Sequence, residues 1–344
     1  MKSIYQILSL LLTILAFQVC KMPAQRPQAG WHLLKKTTIG GDGFWDYLTV
    51  DTGARQLYIA HGSQVVVLNI DTYQQVGAIS GQGVHGVTLV PALHRGFVTN
   101  GGNNTVTIFD TKTFEKTGEI EVGKNPDAAL YDAFSNRLFV FNADSDDATV
   151  IDPVANKAVG TVALGGAPEA AVTDGQGTIF VNLEDKSEIA AFDAKALNVL
   201  RRISLSRGEE PTGLAIDAVH HLLFSVCNNK MMLILNIQKG KVIGQIPIGE
   251  RVDGVVFDAT RQVAISSNGE GTLTVVREVS PTEFKVVQTV QTEAGARTIG
   301  LDAKTHHVFT TTAQFGENQA PTADNPNPRR KTVSGTFSVL EYGE

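Results

Sequence analysis

Seven polar residues recur along the chain at nearly even intervals: Asp46, His85, Asp127, Glu169, Thr212, Asp253 and Arg297. Successive members stand 39, 42, 42, 43, 41 and 44 positions apart. Each lies five residues before the end of a short apolar run, at Asp51, Val90, Asp132, Asp174, Asp217, Asp258 and Asp302. A second set ends the next apolar run of each copy: His61, Asn100, Asn142, Asn182, Cys227, Asn268 and Thr312. If both sets share one face, four carboxylates surround one opening, with His61, His85 and Arg297 beside them. Such a ring concentrates negative potential and suits a cation, a metal ion or an amine. The asparagines have a second reading, since Asn at strand ends caps turns by hydrogen bonds to the backbone.

The elements that must position these residues are legible in the stretch 124–165. Four strand-length apolar runs, DAALY, RLFVF, ATVID and AVGTVAL, are separated by the turn residues Ser135-Asn136, Asp144 to Asp147, Pro153 to Asn156 and Gly165-Gly166. This four-stranded unit returns seven times. A single such sheet cannot bury both faces, so repeats of this length stack radially, and the expected fold is an all-β, seven-bladed β-propeller over residues 31–344. The last copy ends without an outer strand, and the segment Trp31–Ile39 resembles the outer strands of other copies. It is therefore expected to complete the last blade and close the ring. Residues 313–335, AQFGENQAPTADNPNPRRKTVSG, interrupt that blade as a long insertion loop.

In a four-stranded blade the first strand runs away from one face and the second returns to it. The two polar sets therefore fall on the same face, while His94, His220, His221, His306 and His307 fall in turns on the other and read as solvated turn residues. The candidate ligand-binding residues are Asp46, His61, His85, Asp127, Asn142, Glu169, Asn182, Glu184, Asp253, Asn268 and Arg297. If a metal binds, Asp46, Asp127, Glu169 and Asp253 are its expected ligands. Glu184 opens the charged loop EDKSE on this face. Cys227, with Lys230 nearby, reads as a small buried hydrophobe, for no base is positioned beside it by the sequence.

Residues 1–24 read as a secretory signal peptide: Lys2 precedes an apolar run, Ile7 to Val19, too short to span a membrane. Cleavage near Ala24 is expected, with lipidation of Cys20 as the alternative; either exports the chain to the periplasm or cell surface. The mature chain has no transmembrane segment and is expected to be a monomer without internal disulfide, since Cys20 and Cys227 are the two cysteines. Net charge is -6, and removal of Lys2 and Lys21 leaves 27 basic against 35 acidic residues, or -8. A nucleic-acid partner is disfavoured by that balance. Haem attachment, P-loop, HExxH and GxSxG motifs are absent, and no cofactor other than a divalent cation is expected.

The repeats RLFVFN from Arg137, TVTIFD from Thr105 and AVGTV from Ala158 resemble the YVTN-repeat, YncE-like family of bacterial envelope propellers. So do GFWDY at 43–47, GVHG at 83–86, NPDA at 125–128, EDKSE at 184–188, SNGEGT at 267–272 and GART at 295–298. The resemblance implies a WD40-like, seven-bladed exported protein; some members are described as nucleic-acid binding and others as surface-layer or antigen-like. Together these observations lead to an exported binding protein with a small molecule, cation or envelope-protein partner at the polar face. A metal-dependent hydrolase such as a lactonase, with His85 as base, and an envelope assembly scaffold are the alternatives.

Overall fold

Turn chemistry sets the strands. At the end of first strands a carboxylate accepts backbone N–H groups two or three residues on, as Asp217 does from Val219 and His220 and Asp258 from Thr260 and Arg261. The turn then closes on a residue with positive φ, such as Asn136 at 55° or His221 at 56°. Third strands end the same way: Asp110, Asp152 and Asp193 cap their turns. Between these side-chain-capped hairpins the β-branched and aromatic runs pair as strands.

The computed structural model describes residues 30–317 and 330–344. The proposed leader with Cys20, and residues 318–329 of the insertion, lie outside the described residues. Seven four-stranded antiparallel sheets follow one another, numbered here as blades 1 to 7 by their innermost strands: Trp45–Asp51, Val84–Val90, Pro126–Asp132, Pro168–Thr173, Pro211–Asp217, Val252–Asp258 and Gly300–Asp302. In blades 1 to 6 the order across each sheet is the order in the chain. Blade 7 differs, because its outermost strand is His32–Thr38, paired antiparallel with Ser338–Gly343 from His32↔Gly343 to Thr38↔Ser338. The expected closure is thus found, and the two ends of the described chain are held in one sheet.

The core lies between adjacent blades. Phe139 of blade 3 meets Phe192 of blade 4 edge-on at 5.4 Å, and Tyr58 of blade 1 meets Phe109 of blade 2 at 5.9 Å. Trp31 is 2% exposed, and its backbone exchanges hydrogen bonds with the Gln288 side chain of blade 6. Innermost strands crowd one another: a Cβ on Gly213 would lie 2.9 Å from the backbone nitrogen of Val255, which accounts for the small residues there. Among the described residues no helix is long and apolar enough to cross a membrane. Blade 6 departs from its neighbours, since its outer hairpin, Thr272–Ser280 and Glu283–Gln291, has strands of nine residues where the other third and fourth strands have six or seven.

Candidate functional site

The first residues of the innermost strands converge at one end of the central channel. Asp46 and Asp127 flank His85, whose Nδ1 lies 2.6 Å from Asp46 Oδ2 and 3.1 Å from Asp127 Oδ1. On the other side of Asp46, Arg297 Nη2 is 3.9 Å away and Nη1 donates to Asp253. Blades 6, 7, 1, 2 and 3 are therefore linked through charged side chains. Backbone positions are fixed from the neighbouring blade: the Thr99 hydroxyl donates to the Asp127 carbonyl at 2.5 Å and that of Thr298 to the Asp46 carbonyl at 2.9 Å.

Tyr47 carries the circuit to blade 4. Its hydroxyl is 3.0 Å from Glu169 Oε2 and 3.3 Å from Asp127 Oδ2, so the side chain reaches from blade 1 across the channel. Sequence reasoning missed this residue. The signal was available, because the matching positions in the other blades are Gly86, Ala128, Ala170, Gly213, Gly254 and Thr298, and only Tyr47 is large. Below the ring those residues line a cavity of about 180 Å³.

Burial governs the electrostatics. It raises Asp253 to about 7, against the pull of Arg297 and with help from the charges of Asp46, Asp127 and Glu184. Glu169 is pushed well above the carboxylate range by burial and then by Asp127 and Asp253. Asp46 also rises, by burial foremost. Burial works to lower His85, yet hydrogen bonds and charge from Asp127 and Asp46 outweigh it and carry the imidazole to about 10. Near neutral pH the mouth thus holds an imidazolium and a guanidinium beside carboxyl groups whose proton affinity burial has raised. Glu184, at the start of the short 3₁₀ turn Glu184–Lys186, is raised by burial and by Glu210, and its charge is felt at Asp253.

The other candidates are placed differently. His61 is 3% exposed and stacks on Phe337 at 3.9 Å, its Nε2 has no hydrogen-bond partner among the described residues, and burial lowers its pKa. It stands apart from the ring, covered by blade 7. The asparagines are buried within the blades. Asn142 donates to Asp147 and Thr149, Asn268 to Thr272 and Thr274, and Asn182 to the carbonyls of Thr212 and Gly213. Thr212 turns its hydroxyl to the Val252 carbonyl. Cys227 is fully buried, with its thiol pushed up to about 12 by burial. The described flanks of the insertion meet near the mouth, where Phe315 pairs with Thr332 and lies 6.0 Å from the Trp45 ring.

On the opposite face His306 and His307 are paired rather than merely solvated. His306 Nδ1 lies 2.8 Å from Asp258 and His307 Nδ1 2.8 Å from Glu341. Their half-buried turns bring the imidazoles against carboxylates of the same or a neighbouring blade.

A family model described as YNCE-like beta-propeller matches residues 82–315. No curated protein sequence matches the chain. Among solved structures it is similar to hydrazine synthase of Kuenenia stuttgartiensis, at 14% identity and a TM-score of 0.70, over 80% of this chain and 94% of that one. It is also similar to a chain of the mitotic checkpoint complex, at 14% identity and a TM-score of 0.71, over 94% and 99%. At such identities the likeness is one of fold.

Proposed function

We propose that this chain, which belongs to the YncE-like β-propeller family, is an exported binding protein that takes a small cation at the channel mouth. The observation that carries the reading is the grouping of Asp46, His85 and Asp127, whose ligand atoms all lie within 4.8 Å of one another. Glu169 and Asp253 bring two further carboxyl groups to the same opening. A divalent ion would displace the imidazole proton of His85. Uptake should therefore release protons and weaken as pH falls.

Export rests on the leader-like residues 1–24. The three donors are also what a metal-dependent hydrolase would need, but His85 holds its proton near neutrality in the metal-free protein, which makes it a poor general base there.

Calorimetric titration with Ca²⁺, Mn²⁺ and Zn²⁺ is the test, beside Asp127→Ala and Asp253→Ala proteins. Saturable binding of at least one ion, weakened in both variants, is expected. Identical titrations of wild type and Asp127→Ala, or no thermal shift with any metal or small amine, would count against the mouth as a cation site. Hydrolysis of lactones by the metal-loaded protein, lost in Asp127→Ala, would move the reading to the enzyme.

A further inference from the structure

At the seam between blades 5 and 6, on the face away from the mouth, two buried carboxylates meet one imidazole. Asp217 ends the innermost strand of blade 5. Its Oδ1 caps the following turn through the N–H groups of Val219 and His220, and its Oδ2 lies 2.7 Å from His220 Nδ1. Glu278 comes from blade 6, on the part of Thr272–Ser280 that extends beyond the usual strand length. Its Oε1 is also 2.7 Å from His220 Nδ1.

The ring nitrogen makes its hydrogen bond with Asp217, and Glu278 lies at the same distance as an ion-pair neighbour. Neither oxygen of Glu278 has a hydrogen-bond partner among the described residues, although the residue is 3% exposed. A buried carboxylate without a donor is costly and calls for a proton or a cation. The three ligand atoms lie within 4.8 Å of one another, while His220 remains half-open to solvent.

The seam is built differently in blades 2 and 3. There Arg95 and Arg137, at the first position of the second strand, reach the third-to-fourth turn of the next blade and donate to Pro153 and Ala194 carbonyls. Blade 5 has Leu222 at that position, and among the described residues the cationic group paired with Glu278 is His220. We propose that Asp217, His220 and Glu278 form a divalent-cation site of the zinc type that clasps blades 5 and 6. One imidazole nitrogen and two carboxylate oxygens are a donor set that zinc accepts, leaving a fourth position for water. Oxygen and nitrogen donors around zinc at about 2.0–2.1 Å sit roughly 3.3 Å apart, so loading spreads the present contacts by about half an ångström and expels the imidazole proton.

The test uses untagged full-length protein stripped with chelator, then titrated with Zn²⁺ and, for its absorption spectrum, Co²⁺. Asp127→Asn is the background, so that the channel mouth and this seam are read separately. The expected result is one equivalent of zinc in that background, its affinity falling by about tenfold or more when Glu278→Gln or His220→Gln is added. The Co²⁺ spectrum should change with the same substitutions. Under chelator the Glu278→Gln protein should melt at or above the parent temperature, because the unpaired charge is gone, which shows that lost binding is not lost folding. Zinc affinity unchanged by both substitutions, or no zinc bound by the Asp127→Asn protein, would overturn the assignment whatever happens at the mouth.

Discussion

Replacing His85 by Gln removes the imidazolium that Asp46 and Asp127 share, and the size of the loss can be worked from the structure. The folded-state pKa is about 10 against 6.5 for the free side chain. A group whose folded pKa is raised contributes stability that is complete below the unfolded value and is lost as pH rises through the folded one. Linkage over these two values gives about 4 kcal/mol at pH 7, about 1.4 kcal/mol at pH 9 and essentially nothing above pH 11. The His85 side chain is 23% exposed, so solvent screening reduces this, and roughly 2 kcal/mol at neutral pH is the working figure. The Gln amide keeps the volume and one donor, so packing loss adds little. Urea denaturation of wild type and His85→Gln in chelator, from pH 6 to pH 10, is the assay. The stability gap should be widest at the acidic end of that range and close toward pH 10. A gap that is constant with pH, or absent near neutrality, would refute the ion-pair account of the mouth.

Tyr47→Phe should cost about 1–3 kcal/mol, because two buried carboxyl groups lose a shared donor; denaturant midpoints at neutral pH check it, and an unchanged midpoint would show that Glu169 and Asp127 need no bridge. Removing residues up to Ile39 strips the outer strand from blade 7, exposes the edge of Ser338–Gly343 and leaves the site of the buried Trp31 vacant. A loss of about 3–5 kcal/mol for the Trp31 anchor alone, plus oligomerisation through the bared edge, is expected in thermal melts and size-exclusion profiles.

The propeller and its closure were legible because turn residues and apolar runs repeat with little variation, so register carried from one copy to the next. The inner ring was legible for the same reason: Asp46, His85, Asp127, Asp253 and Arg297 meet because equal positions in equal blades fall on one circle. What was not legible depends on contacts between unlike parts of the repeat. Tyr47 crosses the channel to a partner 122 positions away, and nothing in its own copy announces that reach. His61 has the sequence position of a ring residue, yet Phe337, brought over it by the irregular last blade, turns it into core. The asparagines could serve either the mouth or the hairpins from sequence alone. In the structure Asp147 and Thr149, Thr272 and Thr274, and the carbonyls of the next blade claim the amides.

The same geometry says where to look for chemistry in a ring of copies. A residue repeated in most blades serves first to build the circle, as the capping aspartates do, and gains a further role only where an unlike neighbour meets it, as Glu278 meets the His220 beside Asp217. A departure in a single blade is a point on the circle, and here two departures sit on opposite faces of the ring. Tyr47, among glycines and alanines, closes the acidic mouth from one side. Glu278, lifted into reach by a hairpin two to three residues longer than its counterparts, meets His220 where blades 2 and 3 place an arginine one position from the turn. In both places the departure adds a polar group facing buried carboxylates, and an unbalanced buried charge is the condition under which a protein must either bind a proton or admit a cation. Metal titrations that distinguish Asp127 from Glu278 variants therefore address the two ends separately, and a protein that bound cations at neither would mean that protons alone balance both.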